Sequence, residues 1–273
     1  MIIDIHTHTY PDNIAEKTVE KLSGVAGIKP HTNGTLDGLV ESTKEAGIDY
    51  SVILPVATDP HQVPTINEYA YKTNISYKRK GIISFGGIHP DSPDIARVIR
   101  GIASLGIKGI KLHPDYQGVF FNDVRYKRIV LTAASYGLYT IVHAGVDIGM
   151  PEPVHTTPDM VREVMNETGV DRVILAHMGG WRMWDEVMEK LVDLDIFLDT
   201  SFSTEAVEPD GMLDEQKFTE MVRAFGAERI LFGSDSPWGS QKKSVKWIQN
   251  TSLHKNEKEM ILGANAAGIL GIK

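Results

Sequence analysis

The sequence contains no cysteine. Disulfide frameworks, zinc–thiolate sites and cysteine nucleophiles are therefore excluded, and any metal has to be held by nitrogen and oxygen ligands. No apolar run approaches the ~20 residues needed to cross a bilayer, so no membrane association is expected. The segment Met1-Ile2-Ile3-Asp4-Ile5 reads as a buried strand, with no basic region and no small-residue cleavage site. A cytoplasmic protein is expected on that ground. Basic clusters are scarce as well: Lys78-Arg79-Lys80 and Lys242-Lys243 read as solvated helix ends, and the formal net charge is −8. That balance speaks against a nucleic-acid partner. No glycine-rich phosphate loop follows the first apolar run, which weakens a dinucleotide-binding reading.

What is present is a regular alternation. The chain has 273 residues, 42% of them hydrophobic and 23% charged, which suits one globular domain over 1–273. Apolar runs rich in Ile, Val and Leu lie at 2–6, 50–56, 81–88, 107–113, 138–143, 172–177, 195–200 and 229–234. They show little polar alternation, as parallel strands buried on both faces do. Helical patterns separate them. Leu36, Leu39, Val40 and Thr43 form one stripe; Ile95, Val98, Ile99 and Ile102 form another, with Ser92-Pro93 as its expected start. Thr157 followed by Pro158 predicts a third helix start. Gly47, Gly106, Gly137, Gly169 and Gly226 stand where helices should end, since glycine accepts the left-handed conformation that closes them. Eight βα units in this length predict an α/β fold, a (β/α)8 TIM barrel, over an open doubly wound sheet.

Chemistry collects at the strand ends. His6 and His8 close the first run, His89 follows the third, and His113, His143 and His177 close the fourth, fifth and sixth; Asp235 follows the eighth. In a barrel those carboxyl ends form the rim where active sites are built. His6 and His8 are two apart on a strand, so their side chains share a face and can reach one ion. A His-x-His pair alone is weak evidence; with His143, His177 and Asp235 on other strands it becomes a ligand-grade set. Imidazole and carboxylate suit zinc, with manganese, iron or cobalt admissible. His89 and His113 each precede a proline, so they either shape a loop or line a pocket. Lys111 shares a face with His113: it either snorkels to solvent or is buried against a compensating anion. His31, His61 and His254 read as surface residues, whereas His155 lies in the segment 146–157, which follows the fifth strand.

Five segments together resemble the amidohydrolase superfamily: Asp4-Ile5-His6-Thr7-His8, Gly109-Ile110-Lys111-Leu112-His113-Pro114, Val142-His143-Ala144-Gly145, Leu175-Ala176-His177-Met178-Gly179-Gly180 and Phe232-Gly233-Ser234-Asp235-Ser236-Pro237. The closest resemblance is to its amidohydrolase-related branch, which includes decarboxylases of the aminocarboxymuconate-semialdehyde type. The resemblance implies a distorted TIM barrel with one divalent metal, zinc first, held by His6, His8, His143 and Asp235. It places His177 beside the bound water. In binuclear members a carboxylated strand-four lysine bridges two metals; Lys111 lies on that strand, but His113-Pro114 after it fits the mononuclear branch. Catalysis is then expected from Asp235 as proton acceptor and His177 as orienting or oxyanion-stabilising group, with Lys111, His113 and His89 as supporting residues. Hydrolysis of an amide, ester or lactone in a small molecule is the first expectation. Nonoxidative decarboxylation of an unsaturated or aromatic acid is the alternative, and a catalytically silent ligand-binding barrel is the third. A homodimer is admissible. The loops 11–33, 146–157 and 201–213 would set specificity.

Overall fold

Runs of β-branched and aliphatic residues become short parallel strands here because both of their faces are covered. In the computed structural model, which describes residues 1–204 and 212–272, these strands are β1 (Ile3–Thr7), β2 (Tyr50–Ile53), β3 (Ile82–Ser84), β4 (Gly86–Gly87), β5 (Gly109–Leu112), β6 (Tyr139–Val142), β7 (Val173–Leu175), β8 (Phe197–Asp199) and β9 (Ile230–Leu231). They fall on the eight predicted runs. The third run is split at Phe85, and side-chain amides mark the split. In the helix Val63–Ser76, Asn74 bonds both backbone groups of Ser84 (2.7 and 2.9 Å), and Asn67 bonds both of Gly87 (2.9 Å each). Part of the predicted loop 201–213, namely 205–211, lies outside the described residues.

The chain packs as two compact units. The first comprises Met1–Ile53, Tyr77–Ile83 and Asp199–Lys273. Here β1 pairs with β2 in parallel, with Ile3 opposite Tyr50. Ser51 N–H donates to Gly81 O (2.8 Å), and Ile5 N–H donates to Phe232 O (2.8 Å), which places the segment after β9 on the other side of β1. Ile3, Ile5, Leu39, Val52 and Phe218 are buried in its core. The stripe Leu36, Leu39, Val40 and Thr43 lies on the observed helix Leu36–Glu45, and the Thr35 hydroxyl accepts the Gly38 N–H at 3.0 Å, a side-chain cap.

The second unit comprises Leu54–Ser76 and Ser84–Leu198 and carries β4 to β7 and most of β8, hydrogen-bonded in that order and parallel. The helix Ile95–Ser104 starts two positions after Pro93, the expected start. Asp94 is its cap, accepting from Arg97 N–H at 2.9 Å, because a carboxylate at that place reaches the first free amides. The helix Pro158–Thr168 begins as predicted, with the Thr157 hydroxyl accepting from Met160 N–H, and closes on left-handed Gly169 (φ 61°). Among the described residues no helix is long and apolar enough to cross a membrane.

Candidate metal centre

Strand parity builds the donor group of the first unit. Along β1, Ile3, Ile5 and Thr7 face one way and Asp4 and His6 the other, with His8 continuing the second set just beyond the strand. Asp235 arrives because the segment after β9 keeps pairing with β1. Asp235 N–H donates to His6 O (2.9 Å), His8 N–H donates to Ser236 O (2.6 Å), and Thr7 and Ser236 form a parallel bridge. To turn its carboxylate toward the histidines, Asp235 adopts φ 63°, a left-handed conformation uncommon for a residue with a Cβ. Such outliers concentrate at functional sites.

The three donor atoms converge. His6 Nε2 and His8 Nε2 are 3.2 Å apart, and Asp235 Oδ1 lies 3.1 Å from His8 Nε2 and 3.4 Å from His6 Nε2. Two ligands at about 2.0–2.1 Å from one tetrahedral ion are separated by about 3.3 Å, so this triangle has the edge lengths of a shared metal. The imidazole planes of His6 and His8 stand at 73°, which lets their in-plane lone pairs meet. His6 is oriented from behind. Its Nδ1 lies 2.8 Å from Asp199 Oδ2 and 3.0 Å from Ser201 Oγ. A carboxylate only accepts, so Nδ1 carries the proton and Nε2 keeps its lone pair for a cation. Asp199 is itself held by the Ser201 backbone N–H (2.9 Å) and by the Ser201 hydroxyl. Gly233 leaves room for all of this: a Cβ there would sit 2.9 Å from His6 Cβ and 3.2 Å from Ser201 Cβ.

Charge in this unit is shaped by burial. Desolvation pushes the Asp4 carboxyl up to about 7, against hydrogen bonds from Ser234, Gln241 and His6 that favour its anion. Tyr10 is pushed upward by burial and then by the nearby Asp235 charge, so its phenol stays protonated and can donate. Asp199, Ser201 and Tyr10 were not among the predicted site residues. A signal for Asp199 existed, since it closes a strand as the histidines do.

The second unit holds His143, His177, His113, Lys111 and His89. His177 Nε2 lies 3.0 Å from His143 Nδ1, the rings meeting edge to face at 68°. Two glycine motifs bring their backbones together: Trp181 N–H donates to Ala144 O (3.0 Å) and Val146 N–H to Trp181 O (3.1 Å). Any side chain at Gly145 would collide with the backbone of Gly180 and Trp181. His177 and Met178 are both left-handed (φ 59° and 54°). His113 stacks on His143 (4.0 Å, 11°) and on Tyr116 (4.0 Å, 6°). Asp147 Oδ2 is 3.6 Å from His113 Nε2 and 3.7 Å from His143 Nε2. These three residues also form a group of metal-ligand type, but parallel rings aim their lone pairs side by side. The perpendicular His6–His8 pair fits an ion better.

Asp115, also absent from the prediction, underpins this cluster. Its Oδ1 accepts from the His155 backbone N–H and faces His155 Nδ1, both at 3.1 Å, while Oδ2 lies 3.8 Å from His143 Nε2. Burial pushes its carboxyl upward, and the bonds from His155 oppose the shift. His155 is thus a buried anchor of the 146–157 segment. Lys111 is buried at 1% exposure, which sets aside the snorkelling reading. His89 belongs to neither ligand group; its Nδ1 accepts from Asp91 N–H (3.1 Å) and its carbonyl from Ser92 N–H (3.0 Å), the work of a loop-shaping residue. Burial holds its imidazole below the usual range.

Comparison with known proteins places this geometry. The sequence profile of the family described as amidohydrolase matches residues 3–272. No curated protein matches the chain by sequence. Among solved structures, an uncharacterized TIM-barrel protein from Bordetella bronchiseptica superposes with TM-score 0.76 at 17% identity, covering 99% of this chain and 98% of that one. A 5-carboxyvanillate decarboxylase from Sphingomonas paucimobilis gives TM-score 0.72 at 14% identity, covering 100% and 99%. A dihydroxybenzoic acid decarboxylase from Polaromonas, solved with bound manganese and the inhibitor 2-nitroresorcinol, gives 0.73 at 14%, covering 99% and 96%. These likenesses show the fold, the predicted α/β TIM barrel.

Proposed function

The chain belongs to the amidohydrolase family, and from that premise we propose a metal-dependent enzyme that decarboxylates an aromatic or unsaturated carboxylic acid without an oxidant. The observation that carries this reading is the convergent His6, His8 and Asp235 donor triangle, with a carboxylate fixing the His6 tautomer. The names of the Sphingomonas and Polaromonas proteins support decarboxylation over the hydrolysis expected first.

In this reading His6, His8 and Asp235 hold one divalent ion, and the family resemblance adds His143 as a further ligand. Zinc follows from the ligand chemistry, while the manganese in the Polaromonas protein supports that metal equally. When bound, the ion would supply positive charge that polarises substrate oxygens. The protein's own groups handle orientation and protons. Loss of CO2 breaks one carbon–carbon bond and leaves its electron pair on the substrate carbon, which must then take a proton. Asp235 is proposed as the proton-transfer group and His177 as the group that orients the substrate. Tyr10, near the Asp235 charge, stays protonated. Lys111 and His113 are proposed as supporting residues, and His89 shapes its loop.

The test is a metal-replete assay on hydroxybenzoates, unsaturated acids, lactones and amides, scoring CO2 release and hydrolysis separately. CO2 release that disappears in Asp235→Asn is expected. Hydrolysis without CO2 release would replace this reading by the second one, which the amidohydrolase description of the family favours. Metal binding with neither activity would leave a silent ligand-binding barrel.

A further inference from the structure

We infer that Asp4 is a positioning residue of the metal centre: one buried carboxylate ties together the two chain segments that carry the ligands. The inference rests on the metal reading above. Asp4 shares the β1 face of His6 and His8 and is fully buried. Its Oδ1 accepts from the backbone N–H of His6 (3.1 Å) and of Ser234 (3.0 Å). Its Oδ2 accepts from the Ser234 hydroxyl (2.5 Å) and from Gln241 Nε2 (2.8 Å). Four donors thus occupy the acceptor capacity of one carboxylate.

The choice of partners separates this from ordinary core bonding. One backbone donor belongs to the ligand His6 itself, and the other to the residue immediately before the ligand Asp235. Ser234 Oγ, while donating to Asp4, accepts from Ser236 N–H at 3.1 Å. The left-handed Asp235 is therefore gripped on both sides, through Ser234 and Ser236. Behind the clamp, Gln241 also donates to Ser51 Oγ (2.9 Å), which bonds Thr43 Oγ1 (2.8 Å). Gln241 braces Asp4 against β2 and the helix Leu36–Glu45 but touches neither ligand segment. The structure therefore separates two jobs, ligand alignment by the Asp4–Ser234 bonds and general bracing by Gln241.

That separation supplies the test. Asp4→Asn replaces an acceptor oxygen by an NH2 facing donors, Ser234→Ala removes both bonds of that hydroxyl (to Asp4 and from Ser236 N–H), and Gln241→Leu removes the brace with its bonds to Asp4 and Ser51. Each full-length variant is stripped with a chelator and its manganese and zinc affinities are measured by competition with a chromogenic chelator. Thermal unfolding of the metal-free forms runs in parallel. Asp4→Asn is expected to lose about 10–100-fold in affinity, as outer partners of metal ligands do, and Ser234→Ala less. Gln241→Leu is expected to lower the metal-free Tm while keeping wild-type affinity. Should Asp4→Asn fail to fold, Ser234→Ala against Gln241→Leu decides alone. Wild-type affinity in both Asp4→Asn and Ser234→Ala, or an equal loss in Gln241→Leu, overturns the inference. A wild-type protein that binds neither metal overturns instead the metal reading it rests on, and the inference with it.

Discussion

Replacing Asp199 by asparagine tests the tautomer argument at its narrowest point. Asp199 Oδ2 stands 2.8 Å from His6 Nδ1, and as an acceptor it requires the proton there. An asparagine of the same shape can present NH2 instead, which stabilises the other tautomer and puts the proton on Nε2. Nε2 is the atom that faces His8 Nε2 at 3.2 Å and Asp235 Oδ1 at 3.4 Å, so a proton on it blocks one ligand position. Ser201 limits the escape routes, because its hydroxyl and backbone N–H both donate to the other Asp199 oxygen. Those two donors hold the acceptor end of the new amide and turn its NH2 toward His6. The expected loss is about 10–100-fold in metal affinity, or about 1.4–2.7 kcal/mol. Competition against a chromogenic chelator reads the affinity, and far-UV circular dichroism of the metal-free protein controls for folding. An Asp199→Asn protein that binds metal as tightly as wild type refutes the reasoning, since the carboxylate would then set nothing at His6.

Three further outcomes follow from the same geometry. Gly233→Ala puts a methyl 2.9 Å from His6 Cβ, so it should cost about 1–3 kcal/mol in thermal or urea unfolding and weaken metal binding together; a neutral result means the backbone gives way freely. Gln117→Ala should cost about 3 kcal/mol in urea unfolding, because its amide serves Ala57 O (2.8 Å), Ile88 O (2.7 Å), Tyr126 Oη (2.7 Å) and His113 N–H (3.2 Å), all buried partners. Asp123 caps the helix Val124–Ser135 through Arg125 N–H (2.9 Å), and the side-chain bond from Arg125 holds its carboxyl down at about 2. A depressed carboxyl stabilises the fold above its unfolded value and loses that effect as pH falls through the folded one. Asp123→Ala should therefore cost about 1 kcal/mol at neutral pH, and its gap to wild type in thermal unfolding should close between pH 4 and pH 2. A gap that persists at pH 2 assigns the loss to something other than this carboxylate.

Which of these residues could be read beforehand depends on how each is delivered to its place. The strands were legible because burial on both faces leaves uninterrupted Ile, Val and Leu. The break at Phe85 was not, since it is marked by Asn67 and Asn74, a polar pair seven apart on a helix whose visible pattern is unremarkable. His6 and His8 were legible by parity, and the same parity places Asp4 beneath them. Asp199 ends β8 as the site histidines end their strands, so the rule that found His143 and His177 reaches it too. Asp115 sits in the short helix Pro114–Gln117 and Asp147 in the segment after β6, where no period marks which way a carboxylate points, and only their distances to His143 and His113 reveal them. The stacked rings of His113 and His143 make the same point from the other side. Both close strands, and the 11° between their rings sets them apart from the pair on β1, whose planes stand at 73°. Spacing therefore nominates donors, while the direction of a lone pair decides between them. An aspartate two residues ahead of a His-x-His pair is the position where spacing already carries that direction, because a strand leaves its side chain no other face.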